Sequence, residues 1–424
     1  MSRSDHQKGV GGGLSALTEI ECPTSGRILR LRRAWPRRPG HLLLEYRDGD
    51  SSVAGQWFAD SGRLRAVAEQ TASVSPDGVS RHAEAGVLLQ RRGADRRLPA
   101  LAGVVADGAA TLVVHRPERR AVVRRTRSGV ITYVKMIRPG RALPGSVELT
   151  GVRVPVVLAA GPHRGMVEHA ELAGRALHDL LRDAGVERGR TDIVSRAFGA
   201  AGRTVRALHT STPPAGIPMH HADGEVAVTA RWVDQALAHG VFDTMDRVRA
   251  AGALEALGTD LAGRASPPSL TLVHRDLHDK QILVVDGDDA GLLDLDTLAV
   301  GDPALDVANL LVHLELRMLQ GQCRSDVAGV AGDAFLDGYR PDRDLRGRIE
   351  AYAAATRLRL ACVYAFRPCW QDVAARLLAH RSWPGTSDTG TRGTSPDPSS
   401  ATTTSPRWPG AGPAVRDGGT LLGA

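Results

Sequence analysis

Between His274 and Asp296 the chain reads HRDLHDKQILVVDGDDAGLLDLD, and no other stretch limits the possible folds as tightly. Asp276 follows the apolar run Ser269-Leu270-Thr271-Leu272-Val273 and so falls in a polar loop. Gln281 opens a second apolar run from Ile282 to Val285, Asp286-Gly287 is a hairpin-turn signal, and Gly291-Leu292-Leu293 leads back to Asp294. Two short strands joined by that turn would return Asp294 to the neighbourhood of Asp276. A loop carboxylate, a loop amide and a strand-end carboxylate then converge.

Three such groups suit chemistry on a polyphosphate. The terminal phosphates of ATP carry several negative charges that must be neutralised before a hydroxyl can attack, and hard divalent cations with oxygen ligands do this. In the kinase arrangement one aspartate orients the hydroxyl and accepts its proton, while an amide and a second aspartate hold Mg²⁺. Asp276, Gln281 and Asp294 fit those roles in that order. A lone HRD or DxD arises often by chance and an Asp between strands usually only solvates a turn, so the weight lies in finding the set together, each on its expected element.

His274-Arg275-Asp276-Leu277 with Gln281, then Leu293-Asp294-Leu295-Asp296 and Gly301-Asp302-Pro303-Ala304-Leu305-Asp306, resembles the aminoglycoside phosphotransferase and choline kinase family. The resemblance is strongest over 135–340 and implies an α+β, protein-kinase-like two-lobed fold, with a β-rich N-lobe and a mainly helical C-lobe. It makes Asp276 the catalytic base, Gln281 and Asp294 the metal ligands, ATP and Mg²⁺ the cofactors, and Asp306 a buried structural carboxylate beneath the catalytic loop. At the position of Gln281 the family usually has Asn, and the extra methylene displaces the ligand oxygen by about a bond length. That departure predicts weaker metal binding.

Only three of the 54 basic residues are lysines: Lys8, Lys135 and Lys280. Lys135 lies in Val130-Ile131-Thr132-Tyr133-Val134-Lys135-Met136-Ile137, an alternating run after a turn at Arg127-Ser128-Gly129. A compact ammonium reaching the α- and β-phosphates is what the third strand of a kinase-like N-lobe supplies, and Arg is not equivalent there. The bland alternative is a snorkelling strand lysine. By resemblance the hinge follows at Glu168-His169-Ala170, whose backbone groups are expected to bond adenine. The αC helix, with its glutamate partner for the lysine, is expected between Met136 and Val152. Pro139, Gly140, Pro144 and Gly145 break that stretch and leave Glu148 as the sole local candidate, which predicts a short or missing helix.

A protein kinase proper is disfavoured. No GxGxxG precedes Lys135 within reach, and too few residues separate Asp294 from the Gly301-Asp302-Pro303 turn for an activation loop. The expected partner is therefore a small-molecule hydroxyl acceptor, aminoglycoside-, amino-alcohol- or sugar-like. Asp279 and Glu315 would suit a cationic acceptor, although a carboxylate in the amphipathic run Leu310 to Leu319 is more often a solvated face. A catalytically weak, nucleotide-binding pseudokinase and a sugar kinase resembling the maltose-type branch remain open as alternatives. The latter rests on the long β-rich segment before Lys135.

The expected organisation is a disordered 1–14, a β-rich extension over 15–110, the N-lobe over 111–167, the helical C-lobe over 168–382 and a disordered Pro/Gly/Ser/Thr-rich tail over 383–424. A net charge of +7 could suggest nucleic acid, but the arginines are interspersed with acids and aromatics make up only 4%, so no nucleic-acid partner is expected. Cys22, Cys323, Cys362 and Cys369 form no CxxC or metal-ligand spacing and read as free buried thiols. No apolar signal core or run of about 18 apolar residues exists. A cytoplasmic protein without a membrane partner is expected, and nothing in the sequence sets its oligomeric state.

Overall fold

The apolar and charged residues between Ile28 and Arg38 alternate with the period of a strand covered on one face. In the computed structural model, which describes residues 14–141, 149–186, 190–242, 244–262 and 269–379, they form one strand of the first sheet. That sheet contains β1 (Glu19–Glu21), β2 (Ile28–Arg38), β3 (His41–Asp48), β4 (Ser51–Phe58), β5 (Val79–His82) and β6 (Val87–Gln90) in the order β1-β2-β3-β4-β6-β5. Helix α1 (Ser61–Ala72) links β4 to β5, starting at Asp60, whose side chain caps the Arg63 amide. Because β1 reaches only Ile28 to Arg30, the far half of β2 is an open edge. The Ala34 amide on that edge donates to the Phe366 carbonyl at 2.8 Å.

After α2 (Leu101–Val105) come β7 (Ala110–Arg116), β8 (Arg120–Arg127), β9 (Val130–Ile137), β10 (Val157–Gly161) and β11 (Met166–Ala170), in the sheet order β10-β11-β9-β8-β7. The β9 bounds are those the sequence predicts. β10 starts only at Val157, because Arg153 bridges to Gly291 in the other lobe and its carbonyl accepts from the Leu292 amide at 2.8 Å. The tight turn between β7 and β8 is fastened to the preceding sheet. Buried Asp95 accepts from the Glu118 amide at 2.7 Å and bonds His115 at 3.0 Å, while Arg96 donates to the Glu118 carboxylate at 2.7 Å.

The remaining elements are β12 (Arg175–Ala176), α3 (Leu177–Val186), α4 (Thr191–Thr210), β13 (Met219–His220), α5 (Ala222–Ala238), α6 (Thr244–Ala262), β14 (Thr271–Val273), β15 (Ile282–Val285), β16 (Asp289–Leu292), β17 (Ala299–Gly301), α7 (Ala304–Leu319), α8 (Ser325–Tyr339), α9 (Arg343–Ala365) and α10 (Gln371–Ala379). Helices α9 and α10 are separate because Pro368 between them cannot continue a helix. Helix α7 is buried on every side from Ala304 to Arg317, which marks it as the central helix of the lobe. The fold is thus mixed, with β-rich sheets first and a helical body after them. Cys22, Cys323 and Cys362 are buried and unbridged, as expected, whereas Cys369 is exposed. Among the described residues no helix is long and apolar enough to cross a membrane.

Helices α4 and α8 meet backbone to backbone. A Cβ on Gly202 would collide with the Phe335 carbonyl oxygen and lie 2.6 Å from the Tyr339 nitrogen. This approach brings His209 of α4 to the Tyr339 hydroxyl at 2.8 Å. Helix propensity alone would make Gly202→Ala stabilising by about 1 kcal/mol. The contact reverses the sign, and we expect a net loss of about 1–3 kcal/mol from overpacking, measured by urea denaturation.

Candidate active site

Asp306, on the first turn of α7, is fully buried and collects three hydrogen bonds. The backbone amides of His274 and Arg275 donate to it at 2.6 and 2.7 Å, and the His209 ring bonds it at 3.0 Å. Burial pushes its carboxyl up, yet His209 and the His274 amide outweigh that and hold it below the ordinary value. Arg275 takes a left-handed φ of 71°, unusual for a side chain that size, and its carbonyl accepts from Asn309 at 3.0 Å. Asn309 is itself held by Thr356 at 2.6 Å and Arg359 at 2.8 Å. The loop that carries Asp276 is therefore gripped on both sides of its bend. Asp276 stands half-buried at the end of that bend. Burial raises its carboxyl above the ordinary value, with Asp294 adding to the rise and Arg359, His274 and Arg120 opposing it.

The hairpin of β15 and β16 pairs Ile282 with Leu292, so Gln281 faces Leu293, whose amide donates to the Gln281 carbonyl at 2.9 Å. His274 reaches across to the Leu293 carbonyl at 2.8 Å. Asp276, Gln281 and Asp294 are thereby placed on adjoining backbone, as the hairpin reading predicts. Asp294 itself has a left-handed φ of 54°. Lys135, buried in β9, crosses from the sheet to donate to Asp294 at 2.9 Å and also to Asp296, while Arg120 lies 3.5 Å from the other Asp294 oxygen. Burial raises the Asp294 carboxyl, but Lys135 and Arg120 prevail and hold it at about 2.

The donor set suits a hard cation. Both amide atoms of Gln281 are fully buried and lack a hydrogen-bond partner, a costly condition for a polar group. An amide oxygen without a donor, one residue across the hairpin from an ionised aspartate, offers the oxygen chemistry Mg²⁺ selects. The residues present fit the ion.

Some expectations change. Glu168, His169 and Ala170 lie inside β11, paired with β9 on one side and β10 on the other, so their backbone groups are spent on the ladders. Just beyond, the Glu171 amide donates to the Ile131 carbonyl at 3.3 Å, the Ala173 carbonyl accepts from Arg153 at 3.1 Å, and Leu172 packs on Ala176, Leu283 and Leu293. The Glu168 side chain accepts from Thr132 at 2.6 Å. Glu148 and the expected αC helix lie outside the described residues. Asp279 is clamped by Arg317 through two 2.8 Å bonds and by His178 at 2.8 Å, and Glu315 by Arg357 at 2.9 Å. Both carboxylates are buried, which removes them as ligands for a cationic acceptor and also overturns the solvated-face reading of Glu315. Sequence reasoning missed Asn309, Arg359 and Arg120, which sit on helix or strand faces where nothing in the local pattern marks them. Asp296 was visible in the LDLD motif without a role.

A two-lobed architecture with a lysine, two aspartates and an amide at the lobe junction defines a kinase-like phosphotransferase. The family model described as the phosphotransferase enzyme family matches residues 103–352, and the chain belongs to that family. Similar solved structures include the aminoglycoside phosphotransferase APH(3'')-Id from Streptomyces rimosus, at 19% identity over 62% of this chain and 96% of that one, with a TM-score of 0.43. A choline/ethanolamine kinase family protein from Mesorhizobium loti is 17% identical over 66% of this chain and 88% of that one, with a TM-score of 0.40. A thermostable mutant of APH(4)-Ia is 16% identical over 64% and 91%, with a TM-score of 0.46. No curated protein sequence matches the chain.

The orphaned amide makes a stability prediction. Gln281→Met keeps the shape and removes the unsatisfied group, so the ligand-free protein should gain about 1–2 kcal/mol. The same variant should lose the Mg²⁺-dependent part of nucleotide stabilisation. A lower melting temperature for the ligand-free variant would show that the amide is already satisfied.

Proposed function

We propose that this chain transfers the γ-phosphoryl group of ATP to a hydroxyl of a small molecule. The observation that carries the reading is the convergence of Asp276 and Asp294 on one hydrogen-bonded hairpin and loop, with Lys135 reaching Asp294 from the opposite lobe. Adenine would lie against Leu172, beside Leu283 and Leu293, and bond backbone groups at Leu172 in the segment after β11. Lys135 would exchange its carboxylate partners for phosphate oxygens when nucleotide enters. Gln281 and Asp294 would hold Mg²⁺, which supplies charge neutralisation on the phosphates.

Asp276 would orient the acceptor hydroxyl and take its proton as the oxygen forms a bond to the γ-phosphorus. The bond from that phosphorus to the bridging oxygen of ADP breaks in the same exchange, and ADP leaves. Burial that raises the Asp276 carboxyl also makes it a better proton acceptor than an exposed aspartate. ATP supply and free thiols suit a cytoplasmic location. A nucleotide-binding pseudokinase is the second reading, favoured by Lys135 being tied to both Asp294 and Asp296.

Paired variants test the assignment. Asp276→Asn should leave Mg²⁺·ATP affinity by calorimetry nearly intact and lower kcat by roughly 10²–10⁴, the usual contribution of a general base. Asp294→Asn should weaken Mg²⁺·ATP binding itself, because a carboxylate ligand is lost. Turnover is read as ADP release over aminoglycosides, amino alcohols, sugars and nucleosides. Full turnover by Asp276→Asn would remove the catalytic assignment, and no Mg²⁺·ATP binding by the unaltered protein would end both readings.

A further inference from the structure

Helix α4 carries a polar stripe away from the cleft. Ser195, Gly199, Arg203, Arg206 and Thr210 recur at helical spacing and so share one face, while Phe198, Ala201, Val205 and Leu208 turn the other way into the core. That stripe borders a cavity of about 590 Å³ whose far wall is the last turn of α8, with Asp337, Gly338 and Arg340. The floor is bare backbone. A Cβ on Gly338 would collide with the Gly199 carbonyl, so the two helices meet here without side chains between them and the groove above them stays open.

Three guanidiniums share this lining with a single carboxylate. Arg203, Arg206 and Arg340 are exposed, as is Asp337. Arg203 donates to the Asp288 carbonyl at 3.5 Å, which leaves most of its fork unused. Among the described residues no carboxylate lies within ion-pair distance of Arg206 or Arg340. The lining has no aromatic ring and nothing apolar larger than alanine, so it offers no face on which a nucleobase stacks or an acyl chain lies. Ser195 and Asp337 can meet hydroxyls, and arginine forks meet phosphate oxygens through paired bonds. A cavity of this size takes a small molecule, and the groups in it suit one that is compact, hydroxyl-bearing and multiply anionic.

The walls of the cavity are joined to the catalytic loop by hydrogen bonds. Arg206 lies one helical turn before His209 on α4, and Arg340 follows Tyr339 directly. His209 and Tyr339 bond each other across the seam at 2.8 Å, and His209 bonds Asp306 at 3.0 Å. An anion held by Arg206 and Arg340 together would draw the end of α8 onto α4 at the point where that chain of bonds begins. We propose that this cavity is a second binding site, for a non-aromatic polyanion of the sugar-bisphosphate class, and that filling it tightens the grip of Asp306 on the His274 and Arg275 amides. Two distinct sites then act on one element, the bend that presents Asp276. The binding stands apart from the phosphotransfer reading, whereas the meaning of a tightened bend for turnover rests on it.

The probe is fructose bisphosphate, titrated calorimetrically into the full chain, with fructose as the uncharged control. The bisphosphate should bind the unaltered protein at submillimolar concentration and Arg206→Gln or Arg340→Gln about tenfold more weakly, the loss expected for one charge-assisted pair. Fructose should not bind. Gly199→Ala adds a methyl to the cavity floor, 3.6 Å from the Arg203 guanidinium and 3.7 Å from the Ala334 carbonyl oxygen, which are ordinary contacts. Its melting temperature should rise with helix propensity while its bisphosphate affinity falls, a pairing that a merely structural glycine would not give. Lys135→Ala, changed only in the cleft, should bind the bisphosphate as the unaltered protein does. On binding, amide hydrogen exchange at His274 and Arg275 should slow by about tenfold, and Arg340→Gln should remove that effect. Unweakened binding by Arg206→Gln and Arg340→Gln, or equal binding of fructose, overturns the site. Binding lost in Lys135→Ala but kept in the arginine variants places the ligand in the cleft and overturns the site as well. Bisphosphate binding with unchanged exchange overturns the link to the loop. Calorimetry and exchange need no turnover, so each of these outcomes is distinct from failure of the phosphotransfer reading.

Discussion

Everything at the cleft depends on one buried carboxylate accepting from two consecutive backbone amides. Asp306 receives His274 and Arg275 and is backed by His209, which in turn is held by Tyr339 across the tight crossing of α4 and α8. A carboxylate with no solvent costs several kcal/mol to bury, and here charge-assisted bonds offset that cost. Two adjacent amides can point at one carboxylate only if the chain bends sharply, and the left-handed Arg275 is the outcome. The bend then presents Asp276, and the His274 ring fastens the bend to the strand end that precedes Asp294. A helix-packing contact distant from the cleft thus fixes the separation of two carboxylates within it.

Local sequence carried the C-lobe hairpin well because its information is local: Asp286-Gly287 sets the turn, the flanking apolar runs set the strands, and pairing brings Gln281 opposite Leu293. The β9 limits were equally legible from alternation. Register was not. Glu168 to Ala170 differ from the residues after them only in being flanked by neighbours on both sides, which depends on where β10 begins, and that start is displaced by the bond from Leu292 to Arg153. Burial of charge was equally hidden. Asp279 and Glu315 look like surface acids until Arg317 and Arg357, many residues away, fold onto them.

The N-terminal sheet illustrates the limit most clearly. Its strands were foreseeable from their alternation, yet its tie to the second sheet runs through Asp95, Arg96 and Trp35, single residues whose partners lie at the turn between β7 and β8. Where a glycine-rich loop would place flexible backbone, this chain has the Arg116-Pro117-Glu118-Arg119-Arg120 turn braced from outside. The arginine-for-lysine bias of the sequence conceals that some of these arginines hold specific positions.

The bond from the Ala34 amide to the Phe366 carbonyl sets an order of events during synthesis. Ala34 leaves the ribosome long before its acceptor exists, so the outer half of β2 stays an uncovered edge while the whole helical body is made. Closing a loop of that length comes late and slowly, because non-local pairing waits on the entropy of bringing the ends together. Until then the nascent chain displays an open strand able to pair with another copy. The arginines along β2, which repel a second identical strand, guard the edge through that interval.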